Sequence, residues 1–275
     1  MSRAAVLSAL VLYSLALYAA PAQEPRVRDP RVVVIFADVT SSLSVEQNKR
    51  VAELTKSVIV NLPPLTKYRL YLIQADPDVD PIDAGTIRSA QGPQDAKKRT
   101  TQINQTAKED VTKIERRYCE INFARGESIC RGKNISPRPQ PDHRSCILGV
   151  MEHVAHSFLL EEKQRPIDLV FISDMVEDCD DTPLPKQSIR LINDDLETDI
   201  LNVDQFRPLQ SVGQNVRVTI VRPHVEDGPT ERSARKQGLE KYWKKVFDRF
   251  GVDLKSWWWF DTTPPQRFMP DVVAN

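Results

Sequence analysis

Excess positive charge, glycine-rich loops and paired-cysteine metal motifs are all missing from this 275-residue sequence. Its 38 basic residues are balanced by 38 acidic ones, so it lacks the basic surplus expected of a nucleic-acid-binding protein. It has no Gly-x-Ser-x-Gly elbow and no glycine-rich phosphate loop, which argues against the enzymes that use them. Only nine glycines stand beside 20 prolines, and this ratio indicates many stiff, extended connections.

Cysteine is scarce, and its spacing excludes the commonest zinc motif. The chain has four cysteines, with no Cys-x-x-Cys spacing among them, so a four-cysteine zinc site is not expected. In an exported protein four cysteines are more often paired than free. Three pairings are possible, and a Cys119–Cys130 bond that closes a short local loop is favoured.

The N-terminal segment is typical of an export signal. Arg3 precedes the apolar stretch 4–20, and Ala20-Pro21-Ala22 is a small-x-small cleavage pattern. We predict a signal peptide at 1–22, followed by a leader at 23–30. The alternative is an uncleaved anchor, since about 17 apolar residues is the lower limit for a membrane span. Both readings place the rest of the chain outside the cytosol, either periplasmic or secreted, with membrane contact only if the segment is uncleaved.

Residues 31–262 alternate between apolar runs and amphipathic stretches, and 263–275 form a C-terminal tail. The runs predict strands at about 31–38, 68–75, 167–174, 216–221 and 257–260. The amphipathic stretches predict helices at about 44–62, 94–121, 145–160, 185–201 and 232–250, with 94–121 as a long insertion and 76–93 as loop. A strand, a helix and a second strand in succession imply parallel pairing. We therefore predict one α/β domain: a single doubly wound, Rossmann-like, mostly parallel sheet with helices on both faces.

Polar side chains follow two of these strands at the point where each strand ends. The run 32–37 ends in Asp38, and Thr40 and Ser42 follow it; a later run ends in Asp174. In open α/β sheets ligands bind beyond the carboxyl ends of the strands. Two converging carboxylates repel each other unless a cation or a proton lies between them. Carboxylate and hydroxyl oxygens suit Mg²⁺, so we predict a Mg²⁺ (or Mn²⁺) site here.

This order of motifs resembles the von Willebrand factor type A (vWA) domain family. That family's metal-ion-dependent adhesion site (MIDAS) combines an Asp-x-Ser-x-Ser loop, a threonine from a second loop and an aspartate from a third. Residues 38–42 match the first loop, with threonine in place of the first serine, and Asp174 matches the third. Ser145 is the nearest hydroxyl to the second-loop threonine, and Asp142 is a weaker candidate.

The resemblance carries two further implications. It implies that one coordination position of the metal is left for an acidic side chain of a partner protein. It also places Cys146, beside Ser145, near Cys179, which follows Asp174. We therefore predict a Cys146–Cys179 disulfide that braces the second and third loops.

The remaining candidates have simpler interpretations. His153 and His156 lie three apart on one predicted helix, but no metalloprotease motif accompanies them, so a partly solvated face is expected. The acidic run 177–181 is predicted to be a solvated loop, and the tryptophans at 257–259 are predicted to be at least partly packed.

The predicted function is an exported, non-enzymatic binding module that contacts a protein through a divalent cation. One alternative is a metal-free vWA-like scaffold that acts through surface contacts or assembly. The other is a metal-dependent phosphoryl hydrolase with Asp38 as nucleophile. This last alternative lacks the acid/base carboxylate that strand-end aspartate phosphatases carry two residues later, where this chain has Thr40.

Overall fold

The computed structural model describes residues 31–40, 43–74, 81–87, 92–122, 130–131, 135, 145–176, 215–223, 231–252 and 257–260. Within these ranges, the side chains of 231–238, 249 and 257–260 are not described. Several predictions therefore lie outside the described residues: the signal peptide and leader, Ser42, Asp142, the acidic run with Cys179, the helix at 185–201 and the tail. In the described part of the chain, no helix is both long enough and apolar enough to cross a membrane.

In the ranges just given, six strands form one sheet. They are β1 (Val32–Asp38), β2 (Lys67–Ile73), β3 (Asp83–Thr86), β4 (Ile167–Ile172), β5 (Val216–Val221) and β6 (Trp257–Phe260). Their order across the sheet is β3-β2-β1-β4-β5-β6. All neighbours are parallel except β2 and β3, which are antiparallel. This is the strand order of a doubly wound sheet, with its first edge strand reversed.

The edge strand β3 was not predicted. Residues 76–93 were expected to form a loop, and this expectation was wrong at Asp83–Thr86. The sequence Asp-Ala-Gly-Thr has low strand propensity, so its conformation depends on pairing with β2. Backbone bonds on both sides of the short strand hold it there: Ile82 N donates to Leu70 O, and Ile87 N donates to Thr66 O, each at 2.8 Å.

Four helices lie beside the sheet in the described part of the chain. They are α1 (Val45–Val60), α2 (Pro93–Ile121), α3 (Ile147–Val154, extended by a π-helical turn at Ala155–Leu159) and α4 (Glu231–Arg249). A capping box opens α1: Gln47 N donates to Ser44 Oγ at 3.2 Å, and Ser44 N donates to Gln47 Oε1 at 2.8 Å. These reciprocal bonds satisfy amides that the first turn leaves without partners.

Two separate cores confirm the doubly wound α/β fold. Alternate residues of a strand point to opposite faces, and β1 is buried along its whole length. Val32, Val34 and Phe36 pack in one core with α3 and α4. Val33, Ile35 and Ala37 pack in the other core with α1 and α2. A strand covered on both faces explains why the sequence of β1 is continuously apolar.

The predicted Cys119–Cys130 disulfide is confirmed, with Cα atoms 5.4 Å apart. Cys119 belongs to the buried stripe of α2, together with Ala107, Ile114 and Tyr118. The disulfide fixes the C-terminal end of this long helix to the segment around Cys130.

At the amino end of the sheet, Asp168 is buried between two arginines. Arg31 Nη1 donates to both of its carboxylate oxygens, at 2.8 and 2.9 Å. Arg217, its direct neighbour on β5, donates from Nη2 at 2.9 Å and also from Nε. The positive charges of Arg31 and Arg217 thus balance the negative charge of the Asp168 carboxylate, which is only 2% exposed.

Candidate functional site

The sheet has a topological switch point between β1 and β4. These two strands are adjacent and parallel, but the chain continues from β1 to β2 on one side and from β4 to β5 on the other. The crossover connections therefore diverge and leave a crevice at the carboxyl ends of the two strands. Asp38 is the last residue of β1, and Asp174 follows β4 by two residues. The fold places both predicted carboxylates at this crevice.

Asp38 is fully buried and tightly oriented. Its Oδ1 accepts hydrogen bonds from Thr40 N at 3.0 Å and from Thr40 Oγ1 at 2.7 Å. Its Oδ2 accepts a hydrogen bond from Ser173 Oγ at 2.7 Å. Three donors fix the plane of the carboxylate, and Oδ2, which accepts one hydrogen bond, retains a free acceptor site.

Ser145 joins this network from a third part of the chain. Its Oγ lies 2.7 Å from Thr40 Oγ1, and Ser145 is buried just before α3. The second-loop candidate is therefore in contact with the first loop. Of the five predicted ligands, Asp38, Thr40 and Ser145 lie in one hydrogen-bonded cluster, while Ser42 lies outside the described residues.

Asp174 is half-buried and close enough for its charge to act on Asp38. Its Oδ1 accepts a hydrogen bond from Val176 N at 3.0 Å. Burial, and then the charge of Asp174, raises the pKa of Asp38 to about 7, against the opposing hydrogen bonds from Thr40 and Ser173. Two carboxylates whose charges act on each other in a buried crevice favour a proton or a cation between them.

Ser173 was missed in the sequence reading. It precedes Asp174 directly in Phe-Ile-Ser-Asp, so the hydroxyl was visible, but its contact with Asp38 depends on the pairing of β1 with β4. Ser173 Oγ also accepts a hydrogen bond from Met175 N at 2.9 Å. Met175 has a φ of 63°, and its carbonyl accepts a hydrogen bond from Trp243 Nε1 at 2.8 Å. Helix α4 therefore helps to hold the loop that carries Asp174.

The donor set suits a hard divalent cation. Two carboxylates and several hydroxyls are all oxygen ligands, which Mg²⁺ prefers, and Mg²⁺ usually retains several waters. Among the described residues, no group of three or more His, Cys, Asp or Glu side chains is placed to hold a metal ion. Among the described residues, hydroxyl side chains are therefore the groups that accompany the two carboxylates, as the sequence pattern implies.

Cys146, His153 and His156 are not part of the hydrogen-bonded cluster around Asp38. Cys146 is buried next to Ser145 and is disulfide-bonded. Its predicted partner, Cys179, lies outside the described residues, so that pairing stays a prediction. His153 is half-buried and His156 is exposed, as expected for a partly solvated helix face.

Comparisons with known proteins add little to this geometry. No protein-family model and no curated protein matches the chain. A solved vWA structure from Catenulispora acidiphila is similar over 81% of this chain and 43% of its own, with 14% identity and a TM-score of 0.36. The human COPII-coat protein Sec24c is similar over 86% of this chain and 29% of its own, with 6% identity and a TM-score of 0.41. This chain thus spans less than half the length of either. Neither likeness identifies a family.

Proposed function

We propose that the protein is an exported, non-enzymatic binding module that uses a divalent cation, Mg²⁺ or Mn²⁺, to contact a partner protein. The observation that carries the proposal is the convergence of Asp38, Asp174 and three hydroxyl side chains at the switch point of the sheet. Export is supported by the apolar N-terminal segment and by the Cys119–Cys130 disulfide, since disulfides persist mainly outside the cytosol.

Each residue has a distinct part in this proposal. Asp38, Thr40, Ser42, Ser145 and Asp174 would hold the ion. Bound there, the cation would offer an open coordination position to an acidic side chain of the partner. Ser173 positions Asp38 through its 2.7 Å hydrogen bond. Asp174, which is only half-buried, provides the carboxylate nearest to solvent in the cluster.

Thermal unfolding of the protein in increasing Mg²⁺ or Mn²⁺ tests the cation site. Because a ligand that binds only the folded state stabilises it, we expect the unfolding temperature to rise with cation concentration. Asp174→Asn keeps the size of the side chain, removes one carboxylate and should abolish the rise. Glu46→Gln, an exposed carboxylate in the first turn of α1, is the matched control and should leave the rise intact.

Calorimetric titration with the same cations provides an independent readout of binding. Absence of a cation response in the wild-type protein, by both methods, would contradict the cation site. An equal response in the wild type and in Asp174→Asn would place the bound ion elsewhere.

A metal-free scaffold is the second candidate, and one observation favours it. Asp38, Thr40, Ser145 and Ser173 already satisfy one another in a continuous hydrogen-bonded network. Such a network can fix the carboxyl end of the sheet without an ion. Under this alternative, partner binding survives treatment with a chelator, whereas it is lost under the cation-dependent proposal.

The hydrolase alternative is disfavoured by the position of Asp38. A phosphoryl-accepting carboxylate has to reach the phosphorus atom of its substrate, yet Asp38 is fully buried and hydrogen-bonded at both oxygens. We therefore expect no hydrolysis of aryl phosphates by the purified protein in the presence of Mg²⁺.

A further inference from the structure

A cavity of about 220 Å³ lies far from the switch point, between the edge strand β3 and the helices α1 and α2. Its lining includes Tyr68, which pairs with Val33, five residues before Asp38 on β1. At a rise of about 3.3 Å per residue, this separation is roughly 17 Å along the strand. The cavity is therefore independent of the proposed cation site.

The cavity has an apolar side and a polar side. Ile59, Ile87 and Ile103 provide hydrocarbon surface, and Arg99 and Gln102 of α2 provide hydrogen-bond donors. A concave surface with mostly apolar walls and a few convergent polar groups is the usual form of a small-ligand site. The volume is below the range of about 300–1,000 Å³ typical of drug-sized ligands, so the occupant has to be small.

Arg99 lacks the partner that its chemistry requires. Its Nε is buried and has no hydrogen-bond partner among the described residues. Buried polar atoms are nearly always satisfied, so an unsatisfied guanidinium donor at a cavity wall indicates a missing acceptor. The planar fork of an arginine side chain matches the two oxygens of a carboxylate.

Asp83, the one carboxylate among the described residues that line the cavity, is already compensated. Asp83 Oδ2 accepts a hydrogen bond from Tyr68 Oη at 2.8 Å, and Asp83 Oδ1 lies 3.5 Å from Lys113 Nζ. Lys113 in turn donates to Asp110 at 2.9 Å. Because Tyr68 and Lys113 already interact with the Asp83 carboxylate, this carboxylate does not balance the positive charge of Arg99. A ligand can therefore supply the negative charge.

Gly85 keeps the wall of the cavity open. A Cβ atom at this position would lie 3.1 Å from Tyr68 Cε1, tighter than ordinary van der Waals contact. Any side chain here would therefore require the Tyr68 ring, which lines the cavity, to shift by a few tenths of an ångström. Glycine on β3 thus preserves the shape of the cavity.

We infer that this cavity binds a carboxylate on a short aliphatic body, with the carboxylate on Arg99 and the hydrocarbon against the isoleucines. The carboxylate can belong to a free small acid or to the C-terminal residue of a peptide. The site is separate from the proposed cation site, and its occupancy needs no metal.

Ligand titration by saturation-transfer NMR, in the presence of a chelator, tests the inference on the full chain. The probes are 4-methylpentanoate and the neutral 4-methylpentan-1-ol, which share the same hydrocarbon. We expect the acid to bind with a dissociation constant on the order of 1 mM, and at least about tenfold more tightly than the alcohol.

Substitutions of neighbouring residues on α2 separate a specific contact from a general charge effect. Arg99→Met should weaken binding of the acid by about tenfold or more, because a charge-assisted bidentate contact is lost. Lys98→Met removes the same charge from an exposed neighbour and should change binding by less than about twofold. Gly85→Ala should weaken the acid and the alcohol alike, since it alters the shape of the cavity rather than its charge.

A pair of peptides identifies the source of the carboxylate. If Gly-Gly-Leu with a free C-terminus binds more tightly than 4-methylpentanoate and its amide does not bind, the natural ligand is a chain terminus. If the free acid binds at least as well as the peptide, the ligand is a small molecule. Equal affinity for the acid and the alcohol, equal effects of Arg99→Met and Lys98→Met, or absence of binding by every probe would each overturn the inference.

Discussion

Asp110 provides a sharp test of the electrostatics between α2 and β3. Its side chain has no solvent exposure, and Lys113 Nζ donates to its Oδ1 at 2.9 Å. Burial raises the pKa of Asp110 from 3.8 to about 7; the hydrogen bond from Lys113 opposes this rise, and the nearby charge of Asp83 adds to it. The folded protein therefore favours the protonated carboxyl more than the unfolded chain does.

This difference makes the folded state less stable as the pH rises. The contribution of Asp110 is fully present below about pH 4, and it is lost as the pH rises through about 7. The rise of the pKa from 3.8 to about 7 sets an upper bound of about 4 kcal/mol on the change in the free energy of unfolding. Because the Lys113 side chain is 44% exposed, water screens the cluster, and we expect about 1–2 kcal/mol.

Asp110→Asn removes the titrating group and keeps the shape, and its amide oxygen can still accept a hydrogen bond from Lys113. We expect the free energy of unfolding of the variant, relative to the wild type, to increase by about 1–2 kcal/mol between pH 4.5 and pH 8.5. Urea denaturation at intervals of half a pH unit measures this difference. Glu109→Gln, an exposed neighbour on α2, is the control and should show no such trend. A difference that is constant with pH, or that falls as the pH rises, would refute this account of Asp110.

Three further predictions concern the stability of the fold. Asp168→Asn should lower the free energy of unfolding by about 2–3 kcal/mol in urea denaturation, because it leaves two arginines without their buried carboxylate. Phe171→Ala should cost about 3–5 kcal/mol by the same method, since the Phe171 ring is fully buried and stacks on the Phe36 ring with centroids 4.5 Å apart. Replacing Cys119 and Cys130 together by serine should cost about 2–3 kcal/mol, measured against the wild type under oxidising conditions, because the disulfide closes a loop with a sequence separation of 11.

The central strands were predictable because their signal is local. The continuous apolar run of β1 comes from burial on both faces, and a polar residue has to follow where the strand leaves the sheet. Asp38 could therefore be singled out from the sequence alone. The capping box at Ser44 and Gln47 gave the start of α1 by the same kind of local chemistry.

The features that were missed depend on distant parts of the chain. Strand β3 exists because β2 offers it a hydrogen-bonding edge, and its own four residues give no strand signal. The hydrogen bond from Ser173 to Asp38 joins residues 135 positions apart, and it forms only because β1 and β4 are neighbours. The cavity at Arg99 likewise requires α2 to lie beside β3. Periodicity and spacing cannot reveal contacts of this kind.

Two unfavourable features meet at the loop after β4. Met175 is not a glycine yet has a φ of 63°, a conformation that costs about 1–2 kcal/mol for an L-residue. Asp174, just before it, lies near enough to Asp38 to raise the pKa of that buried carboxyl. The loop keeps this geometry because Ser173 Oγ accepts from the Met175 amide and Trp243 donates to the Met175 carbonyl.

The fold thus applies specific hydrogen bonds to hold together two carboxylates that repel each other. Relaxing the loop would relieve both the backbone strain and the repulsion, and the hydrogen bonds from Ser173 and Trp243 offset these two costs. Strain that is maintained by the surrounding structure is a feature of ligand sites. A divalent cation between Asp38 and Asp174 would turn the repulsion into attraction, whereas in the metal-free network only a proton on Asp38 relieves it, and that proton is lost as the pH rises through about 7. This difference is why we rank the cation-dependent module above the metal-free scaffold, and why Asp174→Asn is its most direct test.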